Sequence, residues 1–123
     1  MDSTEEQILY AARALFLRHG YTGTTTEVVS ARAGLNKSMI HYYFRTKEEL
    51  YRKVIKTVAE EELIPALESL NSNDSIEDRL KILHRFRELL TDKYPRLPLI
   101  LLDREDPGND SLLDAFRENG FSL

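Results

Sequence analysis

The sequence predicts an all-α protein, and three observations carry that prediction. Apolar residues recur at intervals of three and four through most of the chain, the repeat of an amphipathic helix. Hydroxyl residues stand three before a glutamate at Ser3-x-x-Glu6, Thr24-x-x-Glu27 and Thr46-x-x-Glu49, the spacing of a capping box at a helix start. Glycines fall between the apolar repeats, where helices stop and the chain turns.

Taken in order, a first helix spans about 4 to 19. Ile8, Ala12, Leu15 and Phe16 recur at helical spacing, Ala11 adds a small contact, and Gly20 ends the helix. Arg18 and His19 then stand at its negative end. A short helix at about 25 to 32 turns Val28 and Val29 inward, with Thr24 and Thr25 both able to cap it. Gly34, within Ala33-Gly34-Leu35, can take the left-handed conformation that closes the helix, and Asn36 caps the next. A long helix follows from about Lys47, with Leu50, Val54 and Val58 as its apolar stripe, Glu60 to Glu62 as a solvated run, and Pro65 as a kink or break. Asn71 to Asp74 reads as a loop. Asp74 or Ser75 caps a helix at about 75 to 93, whose stripe is Ile76, Leu80, Leu83, Phe86 and Leu90, with His84 beside it and Tyr94-Pro95 at its end. Leu97 to Leu102 reads as a short buried helix and Asp103 to Asn109 as a polar turn. A last helix, capped by Asp110 or Ser111, runs through Leu112, Leu113, Ala115 and Phe116 to Asn119-Gly120.

The second short helix carries more chemistry than packing needs. Ile40 and Phe44 face inward, while Lys37, Ser38, His41 and Tyr42 share one outward stripe, with Met39 and Tyr43 at its margins. Helix, glycine-containing turn, helix is the helix-turn-helix pattern, whose second helix enters the major groove of DNA. Lys47 falls at the start of the following helix, where a cation is locally unfavourable unless a phosphate joins it.

These residues carry a family resemblance. Ala11-Ala12 with Leu15-Phe16, Gly20-Tyr21, Thr24-Thr25, Ala33-Gly34-Leu35, His41-Tyr42-Tyr43-Phe44 and Lys47-Glu48 stand at the spacing of the TetR (tetracycline repressor) family, and the match covers about residues 5 to 55. Ser38 stands where that family often has glycine, and His41 where it usually has tyrosine. The resemblance implies a three-helix helix-turn-helix DNA-binding domain over 1–47, followed by a helical ligand-binding and dimerisation domain over 48–123. That second domain looks incomplete, because proteins of the family usually continue with two further long helices. The helices left behind should expose apolar surface and self-associate.

Resemblance and helical wheel together give Lys37, Ser38 and Tyr42 the base edges, with Met39 against a thymine methyl or the backbone. Thr25, His41, Tyr43 and Lys47 would hold phosphates. The resemblance further implies a homodimeric repressor on a palindromic duplex operator, released by a small apolar effector. Phe86, Leu101 and Phe116 could line the effector pocket, and equally are plain core.

Charge agrees with this division. Residues 1 to 56 hold nine Lys/Arg against six acids, and 57 to 123 hold eight against fifteen. The basic part contains the helix-turn-helix, as phosphate binding requires. The chain has no cysteine, so disulfides and thiolate-ligated metals are excluded. No Gly-rich phosphate loop or G-x-S-x-G elbow is present, and His19, His41 and His84 lie far apart, so neither enzyme, cofactor nor metal site is expected. The N-terminus lacks the regions of a signal peptide and no apolar run could span a bilayer, so a cytoplasmic protein is the simplest reading. The rival reading is a helical protein–protein module that uses the 36–44 face.

Overall fold

The computed structural model describes residues 3–69 and 75–122, and every element among them is helical. In chain order these are α1 (Ser3–His19), α2 (Thr26–Ala33), α3 (Lys37–Tyr43), α4 (Lys47–Val58), α5 (Ile64–Ser69), α6 (Ile76–Glu88), α7 (Arg96–Leu102) and α8 (Asn109–Glu118). Two wider π-helical turns, Ala59–Leu63 and Leu89–Lys93, extend α4 and α6. No helix among the described residues is long and apolar enough to cross a membrane.

The core begins with α1. Its stripe Ile8, Ala12, Leu15 and Phe16 is buried, with Ala11 beside it, and packs on α2 and α4. Leu50, Val54 and Val58 of α4 are fully buried, and α8 crosses their helix from the other side through Leu112 and Ala115. One apolar cluster therefore runs from Ile8 through α4 to Leu97, Ile100 and Leu112. Gly108 lets α8 approach so closely, since a Cβ there would lie 2.9 Å from both the Tyr51 ring and Ile55.

Several expectations need correcting. Val28 is exposed and only Val29 is buried, because neighbours on a helix point about 100° apart and α2 has one covered side. The Leu97–Leu102 helix is not buried. Leu97 and Ile100 reach the core at i and i+3, while Leu99, Leu101 and Leu102 face outward. Asn109 belongs to α8 and not to the turn. It is buried, and its amide donates to the Ile100 and Leu101 carbonyls at 2.9 Å each, satisfying the end of α7. The α8 N-cap position is Gly108, neither Asp110 nor Ser111.

Pro65 does not break its helix. The turn before it is π-helical, with the Ile64 N–H bonded to the Ala59 carbonyl, and α5 continues through the proline. Ser75 rather than Asp74 caps α6, its hydroxyl accepting from the Asp78 N–H at 3.2 Å. Ser3 is the first residue of α1 rather than its cap, and the Asn71 to Asp74 loop signal lies outside the described residues.

Candidate nucleic-acid interface

Local chemistry builds the helix-turn-helix in three steps. Thr25 caps α2, its hydroxyl accepting from the Val28 N–H at 3.2 Å, which leaves no capping box for Thr24 to form. Thr24 is buried instead, and its hydroxyl donates to the Gly20 and Leu15 carbonyls at 2.9 and 3.3 Å, tying α2 to the end of α1. Gly34 then adopts φ 71°, and the Gly34 and Leu35 N–H groups bond back to Ala31 and Ser30, the paired bonds of a left-handed helix close. Asn36 caps α3 by accepting from the Met39 N–H at 3.0 Å.

Ile40 and Phe44 anchor α3 in the core, so its opposite face is free. Lys37, Ser38, His41 and Tyr42 are exposed on that face, and Met39 and Tyr43 are half-buried at its edges. Tyr42 is 78% exposed yet held edge-on against Tyr43, with ring centres 5.0 Å apart. A large aromatic presented to solvent in a fixed orientation suits a contact with a base or partner surface. The Ser38 hydroxyl is held by the Asn36 cap.

Thr46 caps α4, so Lys47 is the first residue of that helix. Its ammonium lies 4.2 Å from the centre of the Tyr21 ring. This cation–π contact offsets the unfavourable position of a cation at a helix N-terminus, which sequence spacing alone leaves unexplained. Tyr21 in turn packs on Phe16 and on Tyr51, at 6.4 and 4.9 Å between ring centres. Tyr51 is buried in α4, and its hydroxyl donates to Asp106 at 2.9 Å. A continuous set of rings therefore connects Lys47 to the loop between α7 and α8.

A second contact also escapes sequence reading. Glu27, in the first turn of α2, pairs with Lys37 of α3, and that hydrogen bond holds the Glu27 carboxyl below its usual range. The two stand ten positions apart on different helices, a relation no single-helix periodicity encodes. Lys37 is thereby steered towards α2.

The three residues named for an effector pocket are placed differently. Phe86 and Phe116 pack at the margin of the core, Phe116 edge-on to Phe121 at 5.8 Å, and Leu101 is exposed. The clefts along α1 are lined by other residues.

Comparison with known proteins agrees with this geometry. Residues 8–54 match the family described as bacterial regulatory proteins, tetR family. Over those residues the chain resembles that family. Over 119 residues it is 25% identical to the HTH-type negative transcriptional regulator IcaR of the biofilm operon of Staphylococcus epidermidis, covering 97% of this chain and 64% of that protein. Over 57 residues it is 40% identical to the HTH-type transcriptional repressor NicS of Pseudomonas putida, across 46% of this chain and 27% of that protein. A solved TetR-family transcriptional regulator from Mesorhizobium loti superposes with a TM-score of 0.67 at 28% identity, over 97% of this chain and 61% of that one. The chain thus spans less than two thirds of the length of these relatives.

Proposed function

We propose that this chain is a DNA-binding transcriptional repressor released from its operator by a small-molecule ligand, and that the outward face of α3 reads a palindromic operator. The observation that carries the proposal is that face itself: Lys37, Ser38, His41 and Tyr42 all exposed on a helix whose other side is locked into the core. Lys37, Ser38 and Tyr42, with Met39, would contact base edges. Thr25, His41, Tyr43 and Lys47 would hold phosphates and set the register. A homodimer would place two such helices in successive major grooves, about 34 Å apart. Residues 1–47 would form the DNA-binding part and 48–123 the part that dimerises and answers a small effector, with cytoplasmic action on chromosomal DNA.

Selection from random duplex DNA at moderate salt tests this reading. It should enrich a palindrome with half-sites one helical turn apart. Failure of the folded protein to enrich any sequence would leave a protein partner for the 36–44 face. Salt separates the two further, because DNA affinity should fall with a log–log slope of about 0.9 per phosphate contacted. Lys47→Ala should weaken all duplexes alike and lower that slope by about 1 per half-site, whereas Tyr42→Ala should remove about 1–3 kcal/mol of discrimination per half-site. An unchanged preferred sequence in Tyr42→Ala would remove Tyr42 from the base readers.

A further inference from the structure

Behind the helix-turn-helix, on the far side of the α1 stripe, a cleft of about 510 Å³ opens between α1 and the segment Asp92–Arg96. That volume lies within the range of small-molecule sites, roughly 300–1,000 Å³. Its walls are apolar and aromatic through Leu17, Tyr10 and Tyr94, while Arg13, Arg18, Lys93 and Arg96 bring four cations to it against the single acid Asp92.

Two of those cations are already matched. Arg13 pairs with Glu61 at 2.7 Å and donates to the Tyr94 hydroxyl at 2.9 Å, and Lys93 pairs with Glu62 at 2.8 Å. Arg18 and Arg96 have no carboxylate partner among the described residues. Arg96 uses its Nε to donate to the Arg18 carbonyl at 3.1 Å, at the C-terminal end of α1, which sets its guanidinium beside Gly20, on the border between this cleft and the one lined by Asp103, Glu105 and Asp106. A third observation bears on the same place. The second π-helical turn delivers Asp92 and Lys93 to the cleft, while Glu61 and Glu62 of the first hold Arg13 and Lys93 from outside it. Such turns cost helix regularity and often accompany functional sites.

We propose that this cleft binds a small organic anion, a carboxylate on a flat apolar body, gripped by Arg18 and Arg96 and laid against the exposed ring of Tyr10. Its two walls belong to different parts of the molecule. One is α1, which supports the helix-turn-helix, and the other leads into α7. A ligand that touches both fixes how α1 sits against the C-terminal helices, and so shifts the population of the DNA-competent arrangement. This regulatory half rests on the DNA-binding reading; the binding half does not.

The test is calorimetric titration of the full chain with naphthoate, and with naphthalene methanol as a neutral analogue of similar shape. Naphthoate should bind roughly tenfold more tightly than the alcohol, and exposed Arg18→Gln should erase most of that difference, the loss expected for one charge-assisted hydrogen bond. Arg96→Lys, which keeps the charge but not the fork, should weaken naphthoate several-fold. Equal affinity for acid and alcohol, or no loss in Arg18→Gln, would overturn the site. With a duplex from the selection in hand, saturating naphthoate should change DNA affinity several-fold, and an unchanged affinity would overturn the regulatory half. If naphthoate binds as described and no duplex is enriched, only the DNA reading fails; if a duplex is enriched and the acid is not preferred, only this inference fails.

Discussion

Helices α4 and α6 carry the same apolar repeat and meet opposite fates. Leu50, Val54 and Val58 of α4 are 0, 1 and 0% exposed, whereas Ile76, Leu80 and Leu83 of α6 are 71, 58 and 49% exposed, and α6 buries no residue fully. The difference lies in the neighbours. α4 is enclosed by α1, α8 and its own π-helical extension, while α6 touches α5 and its own continuation. An amphipathic period therefore tells which side of a helix seeks cover, and says nothing about whether cover arrives. Where it arrives, the buried stripe becomes the platform that holds Lys47 and α3 in place.

The comparison is broken most strongly at Leu50. Leu50→Ala should cost about 2–5 kcal/mol in urea unfolding, because a fully enclosed side chain leaves a cavity. A loss below about 1 kcal/mol would mean that the α4 side is looser than its burial indicates.

Tyr51→Phe sharpens it next, by removing the hydroxyl that joins α4 to Asp106. The cost should be about 1.5 kcal/mol, at the low end for a bond to a charged acceptor, since Asp106 still accepts from the Gly108 N–H. Burial, then the Asp106 bond, raise the Tyr51 pKa above the ordinary tyrosine value. A group raised in the folded state stabilises fully below its unfolded pKa, so this contribution is present at neutral pH and begins to be lost above about pH 10. Wild-type stability should fall more steeply above that pH than that of Tyr51→Phe, and parallel profiles would dissociate the hydroxyl from the effect.

Leu80→Ser should give the smallest change, within about 0.5 kcal/mol when unfolding is followed at dilute protein concentration. A larger loss that grows with protein concentration would mean that a second copy covers the α6 stripe.

The site divides along the same line. Thr25, Asn36 and Thr46 cap the helices that their types and positions announce, because capping is a bond between near neighbours. The outward set on α3 was equally legible, since Ile40 and Phe44 fix the inward side by spacing alone. Tyr21 beneath Lys47 and Glu27 beside Lys37 were not, because each pair joins residues from different elements whose crossing the sequence does not state. The cleft between α1 and Asp92–Arg96 was hidden for the same reason, as its walls come from segments some eighty positions apart.

By itself, then, the sequence determined that the chain is helical, where most helices begin and end, and which side of α3 faces away from the core. These depend on neighbours three or four residues apart, where propensity, capping and periodicity act. Only the tertiary structure decided that Thr24 is a buried staple, that Pro65 is absorbed by a wider turn, and that the α6 stripe stays open. It also decided that four cations line one cleft beside α1. Each of those outcomes depends on which distant surface arrives, and apolar burial is blind to the order in which its partners are encoded.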